Sequence, residues 1–144
     1  MRPWLVAALT VGCDQLAKLA IRTSLQPTQS VALIPSVLHL TYVQNTGAAF
    51  GLFQGYTGAF VLLSIVVAAW IGLELLRTRT RGWPTELALA WILGGAIVNL
   101  IDRLRFGYVI DFLDVRIWPV FNIADSAITI GVGLLLWQTL LAKR

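Results

Sequence analysis

Four long apolar stretches alternate with shorter polar segments along the chain. A helix needs about 20 residues to cross a hydrocarbon core of about 30 Å. Four segments reach that length, at about residues 3–21, 57–76, 85–104 and 123–142, and they leave insertions at about 23–56 and 105–122. The pattern predicts a mainly α membrane protein, a bundle of four transmembrane helices forming one integral membrane domain over residues 1–144.

Two short stretches in the insertions alternate apolar and polar side chains with a period of two, which is typical of strands. They are residues 37–44, VLHLTYVQ, and residues 108–115, YVIDFLDV. Prolines and glycines interrupt the first insertion, so it is not a further span. We expect a small extracytoplasmic β-sheet that forms a cradle on the outer membrane surface.

Composition agrees with a membrane protein. Hydrophobic residues make up 58% of the chain and charged residues 12%, whereas soluble domains are nearer 45–50% apolar and 25% charged. A soluble monomer and a disordered chain are both excluded. Four glycines in the third and fourth spans are expected to let helices pack closely, and several tryptophans to lie at the membrane interfaces: Gly94, Gly95, Gly131, Gly133, Trp4, Trp83, Trp118 and Trp137.

The basic excess is interpreted as a signal of membrane orientation. Lys and Arg number 11 against 7 acidic residues, a formal charge of +4. Cytoplasmic loops of membrane proteins are rich in Lys and Arg, so both termini are predicted to be cytoplasmic. No nucleic-acid partner is expected, because no basic run or RNA-binding motif is present. The residues on the predicted cytoplasmic side are Arg2, Arg77, Arg79, Arg81, Lys143 and Arg144.

Costly polar side chains collect at one end of the predicted bundle. A carboxylate at membrane depth costs about 2.5–3.5 kcal/mol on insertion scales. A rise of about 1.5 Å per residue places Asp102 and Asp125 at the outer ends of their spans, and Asp111 follows in the outer loop. Four more polar residues are expected at the same outer level of the membrane: Asn45, Asn99, Arg103 and Asn122. This distribution favours chemistry at the outer interface over conduction through the whole membrane.

Paired carboxylates are the chemistry that best fits these residues. The chain has a single histidine and no HExxH or Cys/His cluster, so neither a metal site nor a cofactor is expected. A Ser/Lys dyad with Lys18 stays open, although no serine has a motif-like context. Two close aspartates share one proton and can serve as base and acid.

The residues by themselves favour Asp111 and Asp125 only modestly as that pair. Asp111 lies in an apolar strand, and Asp125 begins the fourth span, where an N-cap role is an alternative. Asp102 is interpreted as structural and salt-bridged to the adjacent Arg103, and Asp114 as solvated. Asp14 and Lys18, four residues apart on one helix face, predict a structural ion pair.

Five blocks along the chain resemble the lipoprotein signal peptidases, also called signal peptidase II. The blocks are DQLAK from residue 14, QNTGAAFG from 44, GGAIVNLIDR from 94, VIDF from 109 and FNIADS from 121. The resemblance implies the catalytic dyad Asp111 and Asp125. It also implies substrate-binding or dyad-supporting roles for Asn45, Gly47, Asn99, Arg103 and Asn122, and structural polar roles for Asp14, Lys18 and Asp102.

The resemblance further implies the reaction and its place. An aspartic-type signal peptidase of the bacterial cytoplasmic (inner) membrane would remove the signal peptide from a prolipoprotein, cutting before a cysteine that carries a diacylglyceryl group. Its partners would be that substrate and membrane lipids, without a cofactor, and the chain would act as a monomer. The compact link between the aspartates, with Trp118 and Pro119, departs from the family pattern.

Two other classes of function stay open. A small proton-coupled membrane carrier would need Asp14 and Lys18 in its pathway. A non-enzymatic membrane scaffold would tolerate a neutral residue in place of Asp111.

Overall fold

A computed structural model describes residues 3–47, 52–77 and 82–141. The described residues confirm the predicted fold class, with four membrane-length helices and a small antiparallel sheet. In chain order the elements are α1 (Pro3–Ser24), β1 (Ser30–Ile34), β2 (Leu38–Asn45), α2 (Thr57–Arg77), α3 (Trp83–Phe106), β3 (Val109–Asp114) and α4 (Ile123–Leu141). Residues 2, 79, 81, 143 and 144, used above for orientation, and residues 48–51 of the QNTGAAFG block lie outside the described ranges.

Helix α3 is the central helix, since it packs against α1, α2 and α4. Its buried positions run almost continuously from Ala88 to Ala96, whereas in α2 only Ile71 is buried. All four helices are long and apolar enough to cross a membrane. The chain is therefore a multi-pass membrane protein, and the other described residues leave most of α2 uncovered.

Close helix packing requires glycine at three of the four positions expected. A Cβ at Gly94 would lie 2.8 Å from the carbonyl oxygen of Ala7, and one at Gly95 would lie 2.6 Å from that of Ala124. A Cβ at Gly131 would lie 2.7 Å from the carbonyl oxygen of Ala88. The expectation for Gly133 is wrong, because nothing lies within 4 Å of its added Cβ.

The sheet covers the end of the bundle where α1 and α3 finish and α2 and α4 begin. Its order is β1-β2-β3 with antiparallel pairing, and β2 is central. Tyr42, Ile110 and Phe112 pack with Ile21 of α1, which fixes the sheet to the bundle. Strand β1 was not predicted, because all five of its residues are exposed and no buried alternation marks them.

A tight turn carries the chain from α3 into β3. Gly107 adopts the left-handed conformation with φ 80°, and its N–H donates to the carbonyl oxygen of Arg103 at 3.0 Å. Glycine is favoured there because a Cβ penalises positive φ. The turn leads the chain back across the end of the bundle, so that β3 pairs Asp111 with Val43 of β2.

Candidate active site

Asp111 lies on β3 with its carboxylate bound by two asparagine amides. Its side chain is 2% exposed. Asn45 donates to Oδ2 at 2.9 Å, and Asn122 donates to Oδ1 at 2.7 Å. The carboxylate also lines a cavity of about 360 Å³ that Asp125 shares. The two predicted aspartates therefore face one space.

Asp125 is held in the first turn of α4 by a reciprocal capping arrangement. The N–H of Asp125 donates to Oδ1 of Asn122 at 2.8 Å, and the N–H of Asn122 donates to Oδ2 of Asp125 at 3.2 Å. This is the capping-box geometry, in which the N-cap and the third helical residue satisfy each other's amides. Asn122 is thus the N-cap, and the N-cap alternative for Asp125 is wrong.

Asn99 and Asn122 link the two carboxylates. Asn99 Nδ2 donates to Asp125 Oδ1 at 2.9 Å. Asn122 Nδ2, which donates to Asp111, also lies 3.3 Å from Asn99 Oδ1. Within the described ranges, the side chains that donate to either carboxylate are neutral amides. Neutral donors support an ionised carboxylate without adding a positive charge that would oppose its protonation.

Burial, followed by the negative charge of Asp125, raises the pKa of Asp111 to about 7 from an ordinary value of 3.8. The hydrogen bonds from Asn45 and Asn122 act in the opposite direction but are weaker. Two carboxylates in one space resist simultaneous ionisation. The pair is therefore able to hold one proton near neutral pH.

Arg103 forms one wall of the same cavity. Its Nη2 donates to the carbonyl oxygen of Gly47 at 3.2 Å, and its guanidinium lies 5.0 Å from the ring centroid of Phe60. A Cβ at Gly47 would clash with the carbonyl oxygen of Leu52, and the Gly47 N–H donates to Asn45 Oδ1 at 2.9 Å. Glycine at position 47 thus lets the backbone pass close to Leu52, while its own carbonyl oxygen and N–H bind Arg103 and Asn45.

A buried ion triad lies behind the cavity. Lys18 Nζ lies 2.7 Å from Asp14 Oδ2 and 2.7 Å from Asp102 Oδ2, and none of the three side chains is more than 2% exposed. The ion pair predicted between Asp14 and Lys18 is present. The predicted partner of Asp102 is wrong: helical neighbours point about 100° apart, so Asp102 faces α1 while Arg103 faces the cavity.

The triad also binds the chain next to each cavity aspartate. Asp14 Oδ1 accepts the N–H of Ala124 at 2.9 Å, and Asp102 Oδ2 accepts the N–H of Ile110 at 3.1 Å. Lys18 Nζ donates to Asn99 Oδ1 at 3.3 Å. Since that oxygen accepts from Lys18, the amide nitrogen of Asn99 is directed to Asp125.

Asp114 is not solvated as expected. It is buried and accepts from Thr41 Oγ1 at 2.8 Å and from the N–H and Nη1 of Arg116 at 2.9 Å and 3.0 Å. Burial opposes its ionisation, but these hydrogen bonds together hold the pKa of Asp114 below its ordinary value. Asp114 does not line the cavity of Asp111. Within the described ranges, no three His, Cys, Asp or Glu side chains converge as a metal site.

Comparison with known proteins decides the family. The signal peptidase II family profile matches residues 6–141. The chain is 55% identical to the lipoprotein signal peptidase of Moorella thermoacetica over 138 residues, covering 95% of this chain and 91% of that protein. It is 46% identical to that of Halothermothrix orenii, covering 94% of each. The chain belongs to the signal peptidase II family.

Solved structures of bacterial membrane enzymes show the same fold as this signal peptidase II family member. One determined at 2.3 Å by the in meso method superposes with a TM-score of 0.92 at 32% identity, covering 98% of this chain and 88% of that chain. A second, at 1.9 Å, gives 0.87 at 33% identity, covering 96% and 92%. Family membership makes the chain a peptidase.

Sequence reasoning missed several contacts of this peptidase. Gln15 Nε2 donates to Asp102 Oδ1 at 2.8 Å. Phe60 and Trp118 line the cavity; Trp118 was expected as an interfacial anchor and as part of the link between the aspartates. No sequence signal marks Phe60, since it is one apolar residue in an apolar helix. Three polar residues in the otherwise apolar first span, Asp14, Gln15 and Lys18, were the visible sign of a polar helix face.

Proposed function

We propose that this chain is an aspartyl endopeptidase that removes the signal peptide from lipoproteins, with Asp111 and Asp125 as the catalytic dyad. One observation carries the assignment of the dyad: the two carboxylates open into one cavity and are bound there by neutral amides. The names of the relatives in Moorella thermoacetica and Halothermothrix orenii support the substrate class.

The dyad performs hydrolysis with one shared proton. The ionised carboxylate takes a proton from water as the water oxygen bonds to the scissile carbonyl carbon, while the protonated carboxyl donates a hydrogen bond to the carbonyl oxygen. The tetrahedral intermediate then collapses, the C–N bond breaks, and the departing nitrogen receives a proton from the dyad. The pH dependence belongs to the pair rather than to either residue.

The residues around the dyad divide into two roles. Asn45, Asn99 and Asn122 orient the carboxylates without fixing their charge. Arg103 sits on the cavity wall, anchored by Gly47, where its guanidinium can hold a peptide carbonyl of the substrate. We assign these five residues to substrate binding and dyad support.

Asp14, Lys18 and Asp102 brace the dyad from behind. The carboxylate of Asp14 holds the backbone next to Asp125, that of Asp102 holds the backbone next to Asp111, and Lys18 orients Asn99. The triad does not line the catalytic cavity. Its role is structural, and it forms a closed ion cluster rather than the polar pathway that the carrier hypothesis needs.

The substrate is a bacterial prolipoprotein whose cysteine carries a diacylglyceryl group, and the cut falls just before that cysteine. A second cavity, of about 440 Å³ and lined by Val115, Trp118 and Ile130 among others, shares Asp125 with the first. Acyl chains held there would present the scissile amide to the dyad, with each buried methylene contributing about 0.8 kcal/mol. The site faces outward from the cytoplasmic membrane, both termini are cytoplasmic, and a monomer suffices.

The deciding experiment compares three aspartate variants of the purified protein in detergent, with chelator present. The substrate is a diacylglyceryl-modified prolipoprotein. We expect Asp111→Asn and Asp125→Asn each to lower the cleavage rate at least about 1000-fold. Asp114→Asn is the matched control, because Asp114 lies on the same strand but outside the cavity, and we expect it to keep most activity.

Cleavage that survives either dyad substitution would refute the dyad. A wild-type protein that folds but never cleaves would refute the peptidase reaction and restore the scaffold hypothesis. Cleavage by the wild type only when the chelator is left out would refute the metal-free mechanism.

A further inference from the structure

Two arginine side chains approach the same aromatic ring at the ends of α1 and α3. Arg22 lies in the last turn of α1 and Arg105 in the last turn of α3. Their guanidinium carbons lie 4.4 Å and 5.0 Å from the ring centroid of Phe106. Neither forms an ion pair with any residue in ranges 3–47, 52–77 and 82–141. Two like charges therefore share one ring without an acidic partner there.

The other basic residues at this end of the bundle have different surroundings. Lys18 is neutralised by two carboxylates, and Arg116 pairs with Asp114 at 3.0 Å. Arg103 points into the catalytic cavity. A position in a last helical turn suits Arg22 and Arg105 individually, since it complements the helix dipole, but it does not explain why both approach the same ring.

A cavity of about 260 Å³ opens between the two helices at this point. Its lining includes Arg22, Arg105 and Phe106, together with the apolar residues Leu16 and Leu19 of α1. Those two leucines are 69% and 55% exposed. They precede Arg22 by six and three residues, about 9 Å and 4.5 Å toward the membrane centre. The cavity thus has a cationic mouth at the membrane surface and an apolar side within the hydrocarbon.

We propose that this cavity binds one anionic phospholipid, with the phosphate between Arg22 and Arg105 and an acyl chain along Leu16 and Leu19. Both arginines line this one cavity and approach the same ring, so a single phosphate at the mouth is within reach of both flexible side chains. Arginine suits this role because its planar fork of donors matches phosphate oxygens. The uncompensated double positive charge selects a lipid with net negative charge over a zwitterionic one.

The site is distinct from the proposed catalytic cavity, and this proposal does not depend on the dyad. The base of the lipid cavity contains Lys18 and Asp102, which form their own ion pair at 2.7 Å. The phosphate therefore meets the two free guanidiniums at the mouth. The bound lipid would tie the ends of α1 and α3 together and raise the stability of the bundle.

Native mass spectrometry of the detergent-purified protein, titrated with phosphatidylglycerol or phosphatidylethanolamine of equal chain length, tests the proposal. We expect one retained phosphatidylglycerol, bound at least about tenfold more tightly than phosphatidylethanolamine. Arg22→Gln with Arg105→Gln should lose at least about tenfold of that affinity, and the corresponding double Lys variant should lose part of it. Phosphatidylglycerol should raise the melting temperature of the wild type but not of the double Gln variant.

The matched control is Arg77→Gln with Arg116→Gln. It removes the same amount of positive charge from two positions outside this cavity, the last turn of α2 and the ion pair with Asp114. It should bind within about twofold of the wild type. Equal weakening in the control would overturn the site in favour of general charge attraction. Equal retention of phosphatidylglycerol and phosphatidylethanolamine would overturn the selectivity for an anionic lipid. Displacement of the bound lipid by soluble glycerol phosphate at similar concentrations would show a site for free anions instead. Unchanged affinity in the double Gln variant would refute the proposal.

Discussion

Two groups of carboxylates lie side by side in this protein and have opposite surroundings. Asp111 and Asp125 receive hydrogen bonds from asparagine amides, whereas Asp14 and Asp102 contact the ammonium group of Lys18. An amide donates a hydrogen bond without adding charge, whereas the ammonium of Lys18 brings a positive charge between two carboxylates. The neighbours, rather than the residue type, make one pair suitable for acid–base chemistry and the other for bracing.

Removing the cation from the triad is expected to have the largest effect on folding. Lys18→Met leaves two buried carboxylates without their counter-ion, and breaking a buried ion pair in this way costs about 3–5 kcal/mol. We expect a large fall in melting temperature in detergent and loss of activity.

The triple variant Asp14→Asn, Lys18→Met and Asp102→Asn tests whether charge balance is the cause. Because it leaves no unpaired charge, it should be more stable than Lys18→Met alone. A triple variant no more stable than the single one would show that the packing of Lys18, and not its charge, holds the triad together.

Replacing the amide shared by the dyad is expected to reduce activity next most strongly. Asn122→Asp keeps an oxygen that can cap α4 but replaces the Nδ2 donor to Asp111 with a carboxylate oxygen that repels it. Loss of one placed donor costs about 100-fold or more in turnover. Steady-state cleavage assays should show the loss in kcat with helix content unchanged by circular dichroism. Activity above a tenth of wild type would contradict the role given to Asn122.

The pH dependence of stability should distinguish Asp111 from Asp114. The pKa of Asp111 is raised to about 7, so between about pH 4 and 7 the folded state retains a proton that the unfolded chain has released. Stability then falls as pH rises. Asp111→Asn avoids this loss and should melt several degrees above wild type at pH 8, with the difference shrinking toward pH 4.

Asp114 should show the opposite sign, because its pKa is held below the ordinary value. Its contribution to stability is present above about pH 4 and is lost on acidification. Asp114→Asn should therefore melt below wild type at pH 8 and approach it at low pH. Equal shifts for the two variants would contradict the assigned environments.

The smallest effect is expected at the surface ion pair. Arg116 is half exposed where it meets Asp114 at 3.0 Å, and exposed pairs contribute about 0–1 kcal/mol. Arg116→Gln should change the melting temperature by no more than a few degrees and leave cleavage intact. A loss as large as that of Lys18→Met would contradict the contrast between buried and exposed charge.

Local pattern predicted much of the fold, because apolar length is a strong signal in a membrane chain. Helices α2 and α4 begin at the residues expected, Thr57 and Ile123, and α1 and α3 run two or three residues beyond the expected ends. Strands β2 and β3 were visible as alternation. Strand β1 was not, because exposure on both faces removes the alternation by which a strand is recognised.

Long-range partners could not be predicted from the residues alone. Lys18 meets Asp102 across 84 positions of sequence, while Arg103, the nearest cation in sequence, faces elsewhere. Asp114 was expected in water, but Thr41 of the neighbouring strand and the turn at Arg116 enclose it. Adjacency in sequence misleads on a helix, where consecutive side chains diverge by about 100°.

The sequence by itself determined the membrane class, the four helices and the small set of polar residues available for chemistry, because each depends on local hydropathy and residue type. The tertiary structure decided which carboxylate meets an amide and which meets an ammonium, because helix packing and strand register set those distances. Asn122 illustrates this difference between sequence and tertiary structure. The sequence places it directly before α4, but its contact with Asp111 forms only when β3 lies beside the start of α4.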